Sequence, residues 1–255
     1  MRRRVGALTV LIALTSASAG AIAATNRGGA SEATATAALE PTAQAAKKKP
    51  LEFDANDLFI ETNGTDGDRG LQMNLDAEKW KVFRIHDPKG RKVMMEAKGK
   101  GRLRNWGVTE LFFETDEPPF NKVSFSEFKK RFPAGKYTFT GRTVGGRKMV
   151  GSDRFTHLVP DAPVVTSPTK GEQVDPNAFT VTWEPVTTPD GVEIVRYIVV
   201  VTQDERQLSM DMLPGATSAS IPAQFLNPGS ETEAEVLARE KSGNQTITEV
   251  QFVTK

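Results

Sequence analysis

"VTWEPVTTPDGVEIVRYIVVV", residues 181–201, sets two runs rich in Val, Ile and Thr on either side of Pro189-Asp190-Gly191. β-branched side chains suit the pleated backbone of a strand. Proline presets the backbone angle for the first turn position, and glycine supplies the left-handed one that other residues avoid. The stretch therefore reads as two strands joined by a turn, a hairpin in the simplest case. It carries one tryptophan, Trp183, and one tyrosine, Tyr197. These are either a binding face or the middle of a sandwich core.

The surroundings favour the core. From "APVVTSP" to "TITEVQFVT", strand-like runs alternate with Gly, Pro, Asn and Asp at short intervals, the spacing of a sandwich. The Ala-Pro entry at 162–163, Trp183 in "VTWEP", Tyr197 in "RYIVVV" and "LNPG" at 226–229 before "EAEVLA" together resemble a fibronectin type III module. The resemblance covers roughly the last 95 residues. It implies that Trp183 and Tyr197 are core residues and that Pro189-Asp190-Gly191 lies between the second and third strands. One position departs from it. Thr232, three residues after Gly229, stands where the family carries its corner tyrosine.

Residues 51–159 repeat the pattern with seven candidate strands, "DLFIET", "LQMNLD", "WKVFRIHD", "KVMMEA", "TELFFET", "KYTFTGRTV" and "MVGSDRFTHL". "DPKG" at 87–90 and Gly145-Gly146 are hairpin turns. Tyr137 follows a Pro-x-Gly in "FPAGKY", which looks like the corner of an immunoglobulin-like domain. One short helix is expected in "VSFSEFKKRF", where Ser124 and Glu127 have capping-box spacing. Phe125, Phe128 and Phe132 then share one helix face, suited to plugging the end of a sandwich. The expected architecture is all-β: two tandem antiparallel β-sandwiches, immunoglobulin-like over 51–159 and fibronectin type III-like over 160–255. "VPDAP" at 159–163 joins them, and each is expected to have its own core.

The N-terminus reads as an export signal over residues 1–23. "MRRR" is basic, "VGALTVLIAL" is apolar, and Ala21-Ile22-Ala23 is a small-residue cleavage site. Residues 24–50 are rich in Ala and Thr and hold too little apolar surface to fold. As a flexible coil, such a tether reaches about 25–30 Å. The chain has no cysteine among its 255 residues. That excludes disulfides, thiol catalysis and thiolate metal sites. With 33 basic and 32 acidic side chains, three of the basic ones in the leader, its overall charge gives no reason to bind nucleic acid or an anionic membrane, and no membrane insertion is expected once the signal is cut. A periplasmic or secreted location is expected.

Catalytic patterns are missing. His86 and His157 are the two histidines, and each falls on a strand-like run. No Gly-x-Ser-x-Gly, phosphate-binding glycine loop or His-Glu-x-x-His occurs. Glu114, Asp116 and Glu117 in "ETDEPP" form an acidic cluster, read as a solvated strand end. Asn63, Asp66 and Asp68 in "TNGTDGDRG" are weak calcium candidates, because oxygen donors at that density suit a hard cation. The same residues also make an ordinary turn, and no cofactor is expected. Trp80 and Trp106 are the candidate ligand-binding residues, sugar platforms if exposed together. The sequence thus suggests a non-catalytic exported binding or spacer protein of the cell envelope, whose partner is an envelope protein or a glycan. A carbohydrate-recognising accessory protein and a hydrolase with a carboxylate site are the alternatives.

Overall fold

The computed structural model describes residues 49–186 and 189–255. The expected leader and nearly all of the tether lie outside them. The first half contains β1 (Ala55–Asn63), β2 (Asp68–His86), β3 (Val93–Lys98), α1 (Gly101–Trp106), β4 (Val108–Glu114), α2 (Phe125–Arg131), β5 (Gly135–Thr143) and β6 (Lys148–Phe155). The second contains β7 (Val165–Ser167), β8 (Gln173–Val174), β9 (Thr180–Trp183), β10 (Ile194–Gln203), β11 (Arg206–Met212), β12 (Ser218–Ser220), β13 (Glu231–Glu240) and β14 (Gln245–Thr254). The protein is all-β in class, with sandwich packing in both halves.

In the second half, β12, β9 and β7 form one sheet, which faces β11, β10, β13 and β14 of the other. Val181 and Trp183 on the small sheet meet Tyr197, Val199, Val201, Val236 and Phe252 on the large one. Trp183 and Tyr197 pack ring to ring at 5.4 Å, and the Tyr197 hydroxyl accepts from Val186 N at 2.9 Å. The 181–201 stretch is therefore core, as the resemblance implies. It is not a hairpin, however. β9 and β10 belong to different sheets, so the Pro189-Asp190-Gly191 turn carries the chain across the core between them.

Two corners close the sandwiches. The Tyr137 hydroxyl donates to Pro133 O at 2.9 Å, the backward bond of a tyrosine corner. At the equivalent place in the second half, the Thr232 hydroxyl accepts from Gln203 Nε2 at 2.8 Å and donates to Ser230 O at 3.3 Å. Gln203 also receives Asn227 N at 2.6 Å. A threonine–glutamine pair thus does what one tyrosine does in the first half.

Three expectations for the first half change. "LQMNLD" and "WKVFRIHD" fuse into the 19-residue β2, because no Gly or Pro separates them. Its pairing shifts between Asp76 and Trp80, where the partner changes from β4 to β3 and β5. A second helix, α1, stands between β3 and β4, where no helix is expected. Six strands result rather than seven. The expected helix is present as α2: Ser124 Oγ accepts from Glu127 N at 3.2 Å. The Glu127 carboxylate turns to Arg131 instead of back to the cap. Phe128 is buried beneath α2, with Phe125 and Phe132 beside it.

The large sheet runs continuously through both halves, in the order β11-β10-β13-β14-β1-β2-β5-β6. β1 pairs parallel with β14 through Glu61–Gln245, Thr62–Thr246 and Asn63–Ile247. Asn244 is fully buried beside this seam. Its Oδ1 accepts from Ile60 N at 2.8 Å, and its Nδ2 donates to Leu158 O at 2.7 Å. Thr246 and Thr248 donate to Pro160 O and Pro163 O. The proline-rich joint is strapped along β14. Two hydrophobic clusters remain distinct, one on each side of it.

Candidate functional site

The two candidate tryptophans part company. Trp80 is 2% exposed. Its indole packs edge-on against Phe83 at 5.1 Å, and its Nε1 donates to Thr109 O at 3.3 Å. It lies at the register shifts where β2 changes partners, and its side chain enters the core. Trp80 is therefore no ligand platform, which removes the paired-tryptophan face. Trp106 is 84% exposed, at the last position of α1, with Leu103 one turn earlier at 56%.

No residue of α1 is buried. The helix also lacks a side-chain N-cap and is too short to be stable alone. Its ends hold it. Gly99 N donates to Lys81 O at 3.0 Å, and Val108 pairs with Trp80. Gly107, at φ +92°, lies so close to β2 that a Cβ there would meet Lys79 Cβ at 2.8 Å. β3 and β4 both pair with β2, so α1 is a bridge pinned at two points that presents its side chains outward.

The carboxylates gather elsewhere than expected. Asn63 Oδ1 accepts from Thr65 N and Asp66 N at 2.9 and 3.0 Å, which is an Asx turn. Asn63 Nδ2 donates to Glu249 at 2.7 Å. The side-chain oxygen of Asn63, one of the three calcium candidates, is thus spent on the turn. Instead, Glu61, Glu114 and Glu117 place one carboxylate oxygen each within 4.8 Å of the others. Glu61 on β1 receives the side-chain amides of Gln72 and Gln245 from its two neighbours. Glu114 enters because it stands opposite Gln72 in the sheet. Glu117 lies across Gly70, where a Cβ would come within 2.7 Å of its side chain. Asp116 stays exposed outside the cluster.

Burial pushes the Glu61 carboxyl up to about 7, against the opposing pull of its two amide bonds. Burial, and then the charges of Glu114, Glu61 and Asp68, holds Glu117 far above the ordinary carboxylate range, and it hydrogen-bonds Glu114. On the same sheet face, burial followed by the charges of Glu233, Glu249 and Glu61 raises Glu235 to about 8. Crowded carboxyls of this kind share protons rather than all ionising. Fully ionised, the triad has the donor chemistry of a hard-cation site. At neutral pH, protons occupy part of it. Glu61 was read only as a strand residue, because the residues that meet it come from three other segments.

The histidines are engaged in structure. His86 Nε2 lies 2.9 Å from Thr140 Oγ1, and His157 Nε2 lies 2.8 Å from Phe132 O. His157 also packs edge-on against Phe125 and Phe155. Neither bonds a serine that could serve as a nucleophile.

No protein-family model matches the chain. No curated protein matches it either. Among solved structures, the crystal structure of chicken CNTN1 FN1-FN3 domains is similar to it at 10% identity, with a TM-score of 0.31, over 80% of this chain and 68% of that one.

Proposed function

We propose that this protein is a non-catalytic, exported binding module of the cell envelope that engages its partner through the α1 tip. The observation that carries this reading is Trp106, displayed at 84% exposure on a bridge pinned at both ends. A large aromatic left in water on a positioned element has the character of an anchor for a partner. The other chemically capable groups support the non-catalytic part. Both histidines are tied to structural partners, and both oxygens of Glu61 are taken by amides. A nucleophilic carboxylate needs a free oxygen facing its substrate. The apolar leader and Ala/Thr-rich tether read from the sequence support export and a spacer role.

Binding to isolated cell envelopes tests the proposal. The chain should sediment with them, and Trp106→Ala should reduce the bound fraction severalfold while shifting the melting temperature by no more than a few degrees. Equal binding by both proteins would refute a partner site at α1.

A further inference from the structure

Trp106 and Leu103 project from α1 within a run that contains no acid. "KGKGRLRNW", residues 98–106, holds Lys98, Lys100, Arg102 and Arg104, all exposed. More cations adjoin it. Lys79 lies against Gly107, and Arg142 stands opposite Val82 on β5, as Lys98 does on β3. The nearby acids are Glu78, beside Lys79, and Glu110 on β4 with Asp76 opposite it, while Glu96 is paired with Arg84 at 2.5 Å. The balance around the tip is strongly positive.

The carboxylates gather at the opposite end of β4. β4 begins at Val108, next to Trp106, and ends at Glu114 in the carboxylate cluster. Seven residues of strand span about 20 Å. The near-zero formal charge of the chain therefore conceals a local excess of positive charge at the tryptophan-tipped end of the first sandwich.

Resting on the envelope-binding reading above, we infer that the α1 tip docks the protein onto a bilayer surface bearing anionic headgroups, with Trp106 and Leu103 entering the headgroup layer and the surrounding Lys and Arg side chains meeting the phosphates. Charge complementarity accounts for the cations, since each Lys or Arg near an anionic leaflet contributes attraction that salt screens. Tryptophan is the side chain best suited to the interface, where its ring leaves water and its N–H stays solvated. Leu103 separates this partner from a dissolved polyanion. A leucine one turn from the tryptophan gains nothing from phosphates in water, but it gains from an apolar boundary. The mode is adsorption at the surface. Among the described residues, no helix is long and apolar enough to cross a membrane.

Vesicle flotation tests this. The chain from Ala24 onward retains every described residue and lacks the apolar leader, which would bind lipid by itself. It should float with vesicles of equal parts phosphatidylcholine and phosphatidylglycerol, and not with pure phosphatidylcholine. Binding should weaken with added salt. Replacing Lys100, Arg102 and Arg104 singly with neutral residues should cost about fivefold each. Trp106→Ala with Leu103→Ala should lower binding at least tenfold, with the circular dichroism spectrum unchanged. Three results would overturn the inference: no flotation with anionic vesicles, flotation indifferent to Trp106 and Leu103, or capture of a single-stranded oligonucleotide in place of vesicles. Trp106-dependent binding to envelopes without flotation would overturn the lipid partner and leave the binding-module reading standing. Failure of both assays would remove both.

Discussion

A single carboxyl, Glu61, shows how a residue takes its character from neighbours far away in the chain. Its amide partners, Gln72 and Gln245, come from opposite halves. Gln245 Oε1 is buried and unpaired. Turning that amide would let Oε1 accept the proton of a neutral Glu61. The pKa of Glu61 is raised on folding, and so is that of Glu235. The unfolded chain therefore gives up these protons at lower pH than the folded one. The stabilisation is complete below the ordinary carboxylate range and is lost as pH rises through about 7 for Glu61 and about 8 for Glu235. The melting temperature should accordingly fall between mildly acidic and mildly alkaline buffer. Glu61→Gln, uncharged at every pH, should flatten that fall and melt above the parent protein on the alkaline side. A melting temperature that climbs with pH in the parent, or an unchanged slope in the variant, would show that Glu61 ionises freely. Glu114 and Glu117 were legible as an acidic cluster because they are neighbours in sequence. Glu61 was not, because its partners reach it only through sheet pairing.

The two helices contrast an element built by its own sequence with one built by its anchors. α2 has a capping serine and three phenylalanines at helical spacing; the serine caps the helix and Phe128 is buried, although Glu127 pairs with Arg131 rather than closing the capping box. Phe128→Ala should cost ~3–5 kcal/mol, the usual loss for a buried aromatic, measurable by urea denaturation. α1 has neither a side-chain cap nor a buried face. Its turn exists because Gly99 and Gly107 fix the chain to β2 on both sides. Leu103→Ala and Trp106→Ala should each change stability by no more than about 0.5 kcal/mol, as exposed substitutions do. A larger loss in the same urea titration would mean that α1 packs on the sandwich. A sequence reading that searches for periodicity and caps finds α2 and passes over α1. It also joins no strands, which is why it divided β2 at Ala77–Lys79. There the chain changes partners without any breaker residue.

Across the whole of residues 50–255, two cores are stitched by one sheet. The β1–β14 ladder, the Asn244 bonds and the threonine straps to Pro160 and Pro163 cross the seam. Unfolding either half would strip backbone partners from the other, and buried unpaired groups are costly. Calorimetry should therefore show one cooperative transition for these residues. Trp183→Ala, worth ~3–5 kcal/mol in the second core, should lower that single transition. A split into one shifted and one unshifted peak would show that the seam transmits little.

The sequence by itself determined the β class, the turn positions, the buried Trp183 and Tyr197, the corner at Tyr137 and the cap of α2. The turns, the cap and the strand class are written in residues close together in the chain, where turn chemistry, capping and alternation act, while Trp183, Tyr197 and Tyr137 were legible through the resemblance to sandwich families. Tertiary structure alone decided that Trp80 turns inward while Trp106 stays in water, that β9 and β10 lie in opposite sheets, and that Glu61 meets Glu114 and Glu117. It also decided that the two sandwiches share one sheet. These outcomes depend on which strands pair and where a strand bends. Backbone pairing sets both across large separations, such as the 184 residues between Glu61 and Gln245 on β1 and β14, and such pairing leaves no local mark in the side chains it brings together.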